Sequence, residues 1–522
     1  MTVLREYHDR TKHSPESVRR AMRRLDWENR PDPLKRYLGL EPTPLPDPRP
    51  TGVPWHVALR SDGVEGDARV TLHVLSHLLF HAAGVVRSIR TPDGDIHFRT
   101  YASAGALYPI EAYVVAGDIE GLDAGVYHYA ALEHGLTPLR TGDFRGALPL
   151  AGAPPGRATI ALTGIPWRTA WKYGPRGFRH LYWDTGMVLA NLLGAAGADR
   201  LDARVLLGFV DQAMNDLLGI DGLTEFALCA VPLGRDEAPP PRPVEKLSLP
   251  VAPISPRPRR DPLIERAHAE MVLASGQEVQ RFRAAARREP GGGGEFDSSE
   301  GYRIPPLPAS RLSPDAFEEV VRRRGSSRRQ ARDPIDAREY AAIVDLALGG
   351  IPSDWSGAAL TGFLIANALE DLSPGAYRFG PGGPFAGIRE GDFRRKSAFL
   401  CLEQRLAGEA ASTTFLMADL DRALNAMGDR GYAAAQLEAA VSAGRMYLGA
   451  YAQCLGASGI TFYDDEARRF FETVLEPMLA VVMGPEGARA SIIRCRLRRL
   501  GRAPGGTWHH RTAGQGVIVD QG

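Results

Sequence analysis

The spacing of apolar residues predicts helices and short strands in alternation over residues 70–234. Apolar positions recur at helical spacing in residues 69–86, RVTLHVLSHLLFHAAGVV, and in the longer segment 181–201. Short apolar runs bounded by glycine or proline, such as IEAYVVAG at 110–117 and TIALTGI at 159–165, are typical of buried strands. We therefore expect this region to be a compact unit of helices packed against a sheet.

Proline- and glycine-rich stretches separate this unit from the rest of the chain. Residues 1–60 are charged and proline-rich, which predicts a short helix followed by an extended arm. Residues 235–310 begin with a proline-rich stretch and include a helix predicted over 262–288, so we expect a linker here. A second unit of helices and strands is predicted over 311–498, followed by a loosely ordered tail, 499–522.

Short motifs recur in the same order in both halves of the chain, about 250 residues apart. GVYHY at residue 125 is matched by GAYRF at 375, and YGPRGF at 173 is matched by MGDRGY at 427. A duplication kept only for its fold would account for this shared register. Because each supersecondary unit repeats in the same order, we favour two halves that pack as an intramolecular pseudo-dimer.

Composition and charge exclude several classes of function. The formal net charge is +1, which indicates no general affinity for nucleic acid or anionic membranes. No apolar run is long enough to span a membrane and the charged N-terminus carries no secretory signal, so we expect a cytoplasmic protein. The four cysteines form neither a CxxC pair nor a Cys/His ligand spacing, so no disulfide framework or metal site is expected.

Two segments carry candidate binding chemistry. Residues 99–115 place small residues just before a predicted strand, where backbone amides can approach a flat ring closely. Spacing alone favours the simpler interpretation, a tight strand entry without a ligand. In residues 321–330, Arg324, Ser326 and Arg328 alternate along an extended chain, so their side chains share one side and suit a phosphate monoester. A solvated basic run is the alternative interpretation.

Both segments resemble motifs of the nitroreductase superfamily. SAGALYP, residues 103–109, resembles an element of the SagB-type dehydrogenases, the azoline-oxidising branch, with Ala102 in place of the usual proline. The arginine segment resembles the R-x-S-x-R element of the superfamily. The resemblance implies an α+β fold of tandem nitroreductase-like domains forming a pseudo-dimer, each with a central mixed sheet flanked by helices.

The same resemblance implies a site for flavin mononucleotide (FMN) between the halves. In the superfamily, one subunit supplies phosphate-binding arginines and its partner supplies the small-residue loop. Here the second half has the arginines and the first half has the loop, so we expect one FMN per chain. The implied cofactor-binding residues are Ser103, Ala104, Gly105, Ala106, Arg324, Ser326 and Arg328, with Gly459, Ile460 and Thr461 on a strand that resembles the one facing flavin N5.

Lys172 and Tyr173 resemble the Lys-Tyr element of azoline dehydrogenases. Dehydrogenation of a ring needs a base for the proton as well as a hydride acceptor, and a lysine with a lowered pKa can be that base. A surface lysine beside a packing tyrosine is the alternative interpretation. The second half has Ala426 and Met427 at these positions, so the chemistry is expected in one copy only.

The leading hypothesis is an FMN-dependent oxidoreductase that dehydrogenates a natural-product or peptide-derived intermediate, with azoline-to-azole oxidation as the specific case. An NAD(P)H-dependent nitro or quinone reductase is one alternative. A non-catalytic scaffold or peptide-binding module of a biosynthetic complex is the other. We expect a small-molecule or peptide substrate, biosynthetic partner proteins and no nucleic-acid or membrane partner, and the internal pseudo-dimer fits a monomeric chain.

Overall fold

The computed structural model describes residues 2–486 except positions 21–24, 61–67, 93, 235, 237–238, 289–300, 356 and 358–359. The predicted tail, 499–522, and the end of the predicted second unit, 487–498, lie outside the described residues. The predicted limits of the arm, the linker and the two units therefore stay predictions, and the elements below are those of the described part.

The first half alternates helices and strands, as the apolar spacing over residues 70–234 predicts. Two strands of the first half, 110–116 and 158–164, are buried along their whole length, which is why their sequences are continuous apolar runs. The elements are α1 (Val3–Arg10), α2 (Pro15–Arg20), β1 (Thr43–Pro44), α3 (Trp55–Ala58), α4 (Leu72–Ala83), β2 (Val85–Thr91), β3 (Gly94–Arg99), β4 (Ile110–Ala116), β5 (Gly125–Ala130), β6 (Gly135–Thr141), α5 (Ala147–Leu150), β7 (Ala158–Gly164), α6 (Pro166–Tyr173), α7 (Gly177–Ala198), α8 (Asp211–Leu218) and β8 (Phe226–Leu233).

The sheet of the first half has the strand order β1-β6-β5-β4-β7-β8, and its neighbouring strands pair antiparallel. The predicted mixed sheet is therefore wrong for this half, and the sheet of the second half is antiparallel as well. Antiparallel neighbours such as β5 and β6 can be joined by a short turn, whereas a parallel pair needs a long crossover. Strands β2 and β3 form a separate two-stranded ribbon.

The linker contains two helices, α9 (Pro262–Met271) and α10 (Gly276–Arg288), where a single helix over 262–288 is predicted. Between them the chain is fixed to the first half. Leu273 N donates to the Asp211 carboxylate at 2.8 Å, and Asp211 N donates to Leu273 O at 3.1 Å. These tertiary hydrogen bonds take the place of the helical ones, so the helix is interrupted here.

The second half repeats the architecture of the first around a sheet of order β13-β12-β10-β14-β16-β15, again with antiparallel neighbours. Its elements are α11 (Phe317–Arg323), β9 (Ile335–Asp336), α12 (Ala337–Ala347), β10 (Thr361–Ala366), β11 (Leu369–Glu370), β12 (Gly375–Phe379), β13 (Ala386–Glu390), α13 (Arg394–Leu400), α14 (Arg405–Glu409), β14 (Ser412–Ala418), α15 (Leu420–Met427), α16 (Arg430–Ala452), β15 (Gly456–Ile460), α17 (Asp464–Phe470) and β16 (Glu476–Gly484).

Five strands correspond between the two sheets, in the orders β6-β5-β4-β7-β8 and β13-β12-β10-β14-β16. Their registers agree as well, since Ala116 pairs with Gly125 in the first half and Ala366 pairs with Gly375 in the second. The sheets differ at their edges, where β1 extends the first beyond β6 and β15 extends the second beyond β16. The predicted duplication is thus confirmed as a repeat of the fold.

The long helices α7 and α16 form the interface between the halves. A Cβ atom at Gly186 would collide with Ala440, and one at Gly444 would collide with Ala190, so small residues allow the helices to approach closely. In the alignment of the repeat, Gly186 is equivalent to Ala440 and Ala190 to Gly444. Contacts between equivalent positions are the mark of a twofold interface, which confirms the pseudo-dimer.

Buried ion pairs also connect the halves. Arg176 and Arg430 occupy the same position of the YGPRGF/MGDRGY repeat, and each reaches an aspartate of the opposite half. Arg176 Nη1 lies 2.9 Å from Asp464 Oδ2, and Arg430 Nη1 lies 3.0 Å from Asp211 Oδ1. Cross-domain pairing is a structural role that both copies of the motif retain.

No helix in the described ranges has the length and apolar character that a membrane crossing needs.

Candidate active site

A cavity of about 650 Å³ lies between the two halves, within the size range of small-molecule sites. The first half contributes the small-residue loop before β4, the end of α6 and one side of α7. The second half contributes the segment after α11, the start of α14 and the end of β15. The sequence-predicted residues that line the cavity are Ser103, Ala104, Gly105, Tyr173, Ser326, Arg328, Gly459, Ile460 and Thr461.

The small-residue loop is held in an unusual backbone conformation. Gly105 has a φ of +64°, and Ala106 and Tyr108 share the left-handed region with φ values of +53° and +45°. A Cβ atom at Gly105 would lie 2.9 Å from Tyr173 Oη, so glycine is needed for space as well as for φ. Left-handed non-glycine residues cost about 1–2 kcal/mol each and concentrate at functional sites.

Asp184, on α7, fastens this loop to the helix. Its carboxylate accepts hydrogen bonds from Ser103 Oγ and from Ala104 N, the latter at 3.2 Å, and Ser103 Oγ accepts from Tyr108 N at 2.9 Å. Burial raises the pKa of Asp184 to about 7, although both hydrogen bonds act in the opposite direction. The sequence did not assign Asp184 to the site. The only sequence feature that points to it is that the equivalent position of the repeat is also acidic, Glu438.

Lys172 and Tyr173 end α6 beside the same loop, because Gly174 stops the helix with a φ of +56°. Tyr173 lines the cavity, and Lys172 Nζ lies 3.4 Å from the Cβ position of Gly105. Tyr173 thus faces the cavity that contains Arg328, and Lys172 lies beside Gly105 of its wall, a placement that the sequence alone left undecided. Partial burial lowers the pKa of Lys172, and the charge of Arg30 lowers it further. Burial raises the pKa of Tyr173.

An aromatic stack continues the wall from Tyr173 along α7. The His180 ring stacks on Tyr173 at 4.1 Å and lies 4.5 Å from the Trp183 ring, and Trp183 Nε1 donates to Gln436 Oε1 at 2.7 Å. His180 is 3% exposed, and neither ring nitrogen has a hydrogen-bond partner among the described residues. Burial, with the charge of Arg176, holds the pKa of His180 well below its ordinary value, so the ring is neutral.

The arginines of the second half divide into two groups. Arg328 lines the cavity with Ser326, whereas Arg324 is directed to backbone carbonyls of the first half. Arg324 donates to Thr100 O at 3.1 Å and to Arg99 O at 3.2 Å. It therefore binds the halves together in this structure, and its expected phosphate role stays a prediction. Arg405, which sequence reasoning missed, lines the cavity instead and is exposed.

The end of β15 closes the cavity from the second half. Gly459 N donates to Tyr447 Oη, so this amide already has a partner within the chain. Thr461 Oγ1 is buried without a hydrogen-bond partner among the described residues, although Thr461 lines the cavity. Ala106 and Lys172 do not line the cavity wall itself but lie next to residues that do.

On the other side of the pseudo-dimer, the residue equivalent to Ala104 is hydrogen-bonded within the chain. Ala116 of β4 aligns with Ala366 of β10, and the same offset makes Asp354 equivalent to Ala104. Its carboxylate accepts from Leu207 N and from Gly208 N, both at 2.9 Å, and from Arg283 Nε at 3.1 Å. Arg283 belongs to α10, which also buries Phe282 against this region. The linker helix thus contacts the position that corresponds to the small-residue loop.

Comparison with known proteins agrees with this architecture. The sequence pattern of the nitroreductase family matches residues 66–235. A protein from Methanocaldococcus jannaschii described as a nitroreductase is 32% identical over 171 residues, covering 32% of this chain and 81% of its own length. The chain therefore belongs to the nitroreductase family, which confirms the predicted resemblance at family level and indicates an oxidoreductase.

Two further proteins refine the comparison. The microcin B17-processing protein McbC of Escherichia coli is 31% identical over 150 residues, covering 27% of this chain; the chain spans 55% of McbC. A crystal structure from Anabaena variabilis, described as a nitroreductase, has a TM-score of 0.73 and 25% identity, covering 93% of this chain and 100% of its own. The arrangement of both halves is therefore shared with a solved structure.

Proposed function

We propose that this protein binds one FMN in the cavity between its halves and dehydrogenates a peptide-derived natural-product intermediate, specifically an azoline that becomes an azole. The observation that carries the proposal is the convergence of the small-residue loop, Tyr173, Arg328 and the end of β15 on one cavity. Similarity to McbC, which is named for the processing of a microcin, supports a peptide substrate.

The residues of the cavity fit FMN in their chemistry. Arg328 and Arg405 offer guanidinium groups for a phosphate, to which Ser326 can add a hydroxyl donor. The small-residue loop has no bulky side chain that would hold a flat ring away, and Gly105 keeps its backbone close to Tyr173. The unpartnered Thr461 hydroxyl supplies a polar group on the opposite wall. When bound, FMN supplies the hydride acceptor.

Residues of the first half can accept the proton that the reaction releases and can hydrogen-bond the substrate. Conversion of an azoline to an azole removes one proton and one hydride from adjacent ring carbons. Lys172, whose pKa is lowered, can accept the proton as a neutral amine. The Tyr173 hydroxyl lies beside it and remains protonated, because burial raises its pKa, so it can donate a hydrogen bond to the substrate. The neutral His180 ring packs behind Tyr173 and fixes its plane.

Anaerobic single-turnover spectroscopy tests the proposal. The purified protein is mixed with a thiazoline-containing peptide, and the absorbance of its bound flavin is followed. We expect the flavin to bleach in step with formation of the thiazole, which mass spectrometry detects as a loss of two hydrogen atoms. A Lys172→Ala protein should retain FMN and lose roughly 10²- to 10⁴-fold in rate, the usual effect of removing a general base.

A nitro or quinone reductase is the second candidate, because the relative from Methanocaldococcus jannaschii is described as a nitroreductase. Rapid bleaching by NADPH, with no reaction of the thiazoline peptide, would favour this candidate. A purified protein that neither contains nor takes up FMN would contradict both enzymes and favour a scaffold.

A further inference from the structure

A histidine is buried between two carboxylates where the two halves meet. His77, on α4, is 2% exposed. Its Nδ1 lies 2.6 Å from Asp199 Oδ2, at the end of α7, and its Nε2 lies 3.1 Å from Glu318 Oε1, on α11. Asp199 belongs to the first half and Glu318 to the second. These three residues, the His77 bridge, therefore connect the halves.

The geometry of the bridge fixes the charge of its histidine. A carboxylate accepts hydrogen bonds and cannot donate, so a ring with a carboxylate at each nitrogen has to donate from both nitrogens. Only the imidazolium form of histidine can do this. Burial by itself lowers the pKa of His77, but the hydrogen bonds to Asp199 and Glu318 outweigh it and raise the pKa to about 9. His77 therefore keeps a positive charge at pH values where an ordinary histidine has lost it.

The neighbours of the bridge are a threonine, a second histidine and an arginine. Thr51, on the N-terminal arm, donates to Glu318 Oε1 from its backbone N at 2.8 Å and from its Oγ1 at 2.7 Å. The His81 ring lies 4.5 Å from the His77 ring, and burial together with the charge of His77 lowers the pKa of His81 to about 3. Arg322, on α11, acts on His81 in the same direction. Since Thr51 is uncharged and His81 is neutral near pH 7, the positive charge between the two carboxylates comes from His77.

The helix that carries Glu318 leads directly into the cavity wall. Arg324 N donates to Val320 O at 2.9 Å, so the chain leaves α11 from the last turn of the helix. The residues that follow and line the cavity are Ser326, Ser327 and Arg328. A short helix moves as a rigid element, so the place at which Glu318 is fixed sets the place from which this segment starts.

We propose that His77 is a positioning residue: as an imidazolium it joins α11 to the first half and so holds residues 326–328 where they can bind the phosphate of FMN. Loss of the proton leaves one N–H for two carboxylates, and in either tautomer the attraction between a positive ring and the Glu318 carboxylate is lost. The phosphate role rests on the proposed function, whereas the charge of His77 and its connection of the halves do not.

Nitrogen NMR of the full-length protein, labelled with ¹⁵N in histidine, tests the charge without FMN. The His77 signals are assigned by their absence from His77→Gln. We expect both ring nitrogens of His77 to carry protons at about pH 8, with a titration midpoint at about 9. Glu318→Gln replaces a carboxylate by an uncharged group of the same shape and should lower that midpoint by about one unit, a tenfold loss of proton affinity. A parental His77 that is neutral at about pH 8 overturns the proposal.

The affinity for FMN divided by the affinity for riboflavin tests the positioning. Riboflavin lacks the phosphate, so this ratio reports on the phosphate-binding segment and cancels effects on the flavin ring. At about pH 7.5 the ratio should be roughly tenfold lower in His77→Gln than in the parent, the loss of about one charged hydrogen bond. In the parent it should fall by a similar factor as the pH rises from about 7.5 to about 10, a range over which the phosphate stays ionised. In His77→Gln the ratio should not change with pH.

His128→Gln is the matched control. His128 is 1% exposed and lies 3.0 Å from the Glu111 carboxylate, but both residues belong to the sheet of the first half and neither lines the cavity. This variant also loses a buried histidine that is bonded to a carboxylate. It should leave the ratio of FMN to riboflavin affinity at the parental value.

Equal ratios in His77→Gln and the parent over the whole pH range would overturn the positioning role. A ratio that falls as far in His128→Gln as in His77→Gln would also overturn it, because the loss of any buried histidine would then be sufficient. If His77→Gln does not fold, Glu318→Gln takes its place in the same comparison. A parent protein that binds neither flavin contradicts the proposed function and with it the phosphate role, whereas the NMR titration still decides the charge of the bridge.

Discussion

Substitution of Gly105 by alanine tests whether the small-residue loop and the Lys-Tyr pair form one site. Gly105 has a φ of +64°, and its Cβ position lies 2.9 Å from Tyr173 Oη, where ordinary contacts begin at 3.4 Å. Alanine therefore introduces left-handed strain of about 1–2 kcal/mol. It also forces the hydroxyl or the loop to retreat by about 0.5 Å.

Gly39→Ala is the matched control for strain without contact. Gly39 has a φ of +77° with nothing within 4 Å of its Cβ position, so alanine there introduces the left-handed backbone strain without a steric clash. Both variants should unfold at lower temperature, by roughly 1 °C for each kcal/mol lost in a chain of 522 residues. Only Gly105→Ala should also reduce FMN content and slow turnover, by roughly tenfold, because small displacements of reacting groups are costly.

The measurements are thermal unfolding, FMN released from denatured protein, and single-turnover rate. Equal flavin content and equal rates in Gly105→Ala and Gly39→Ala would refute the reasoning, since the contact with Tyr173 would then have no functional consequence. If a variant loses flavin but regains the parental rate when FMN is added back, the loop contributes to FMN binding and not to the reaction itself.

Four further results are expected. Extracted FMN should approach one per chain, because Asp354, at the position equivalent to Ala104, is bonded to Leu207 and Gly208 within the chain, and a ratio near two would contradict this. Arg328→Ala should weaken FMN binding about 10- to 100-fold, the effect of losing a charged hydrogen bond, and leave riboflavin binding nearly unchanged. Arg430→Ala should lower the free energy of unfolding in urea by about 3–5 kcal/mol, because Asp211 stays buried without its partner. Burial raises the pKa of Asp184 from 3.8 to about 7, so the folded state holds a proton that the unfolded chain releases in this window. Stability should therefore fall as pH rises through it, and Asp184→Asn should flatten that decline.

Local sequence patterns predicted those parts of the fold that depend on nearby residues. The apolar spacing at 69–86 and 181–201 corresponds to α4 and α7, and the runs at 110–117 and 159–165 correspond to β4 and β7. These elements follow from side-chain periodicity, which is a property of a few turns or a few strand residues. The pseudo-dimer was predictable for a different reason, since a duplication leaves its motifs in register along the chain.

Other features depend on contacts that no local pattern contains. The helix predicted over 262–288 is two helices, because Leu273 bonds to Asp211 of the first half. Arg324 fits the expected motif, yet its guanidinium turns to the carbonyls of residues 99 and 100, more than two hundred positions earlier. His180 and Arg405 belong to no motif, and only the packing of the halves brings them to the cavity.

The sequence by itself determined the family, the repeated order of elements and nine of the 21 residues that line the cavity, because these are recorded in residue type and spacing. The tertiary structure alone decided that Tyr173 faces the cavity and that Lys172 lies beside Gly105 of its wall. That placement rests on α7 and α16 packing at equivalent small residues, which brings the two halves together around the cavity. Such contacts join residues far apart in the chain, so their outcome is set by three-dimensional packing and not by local preference.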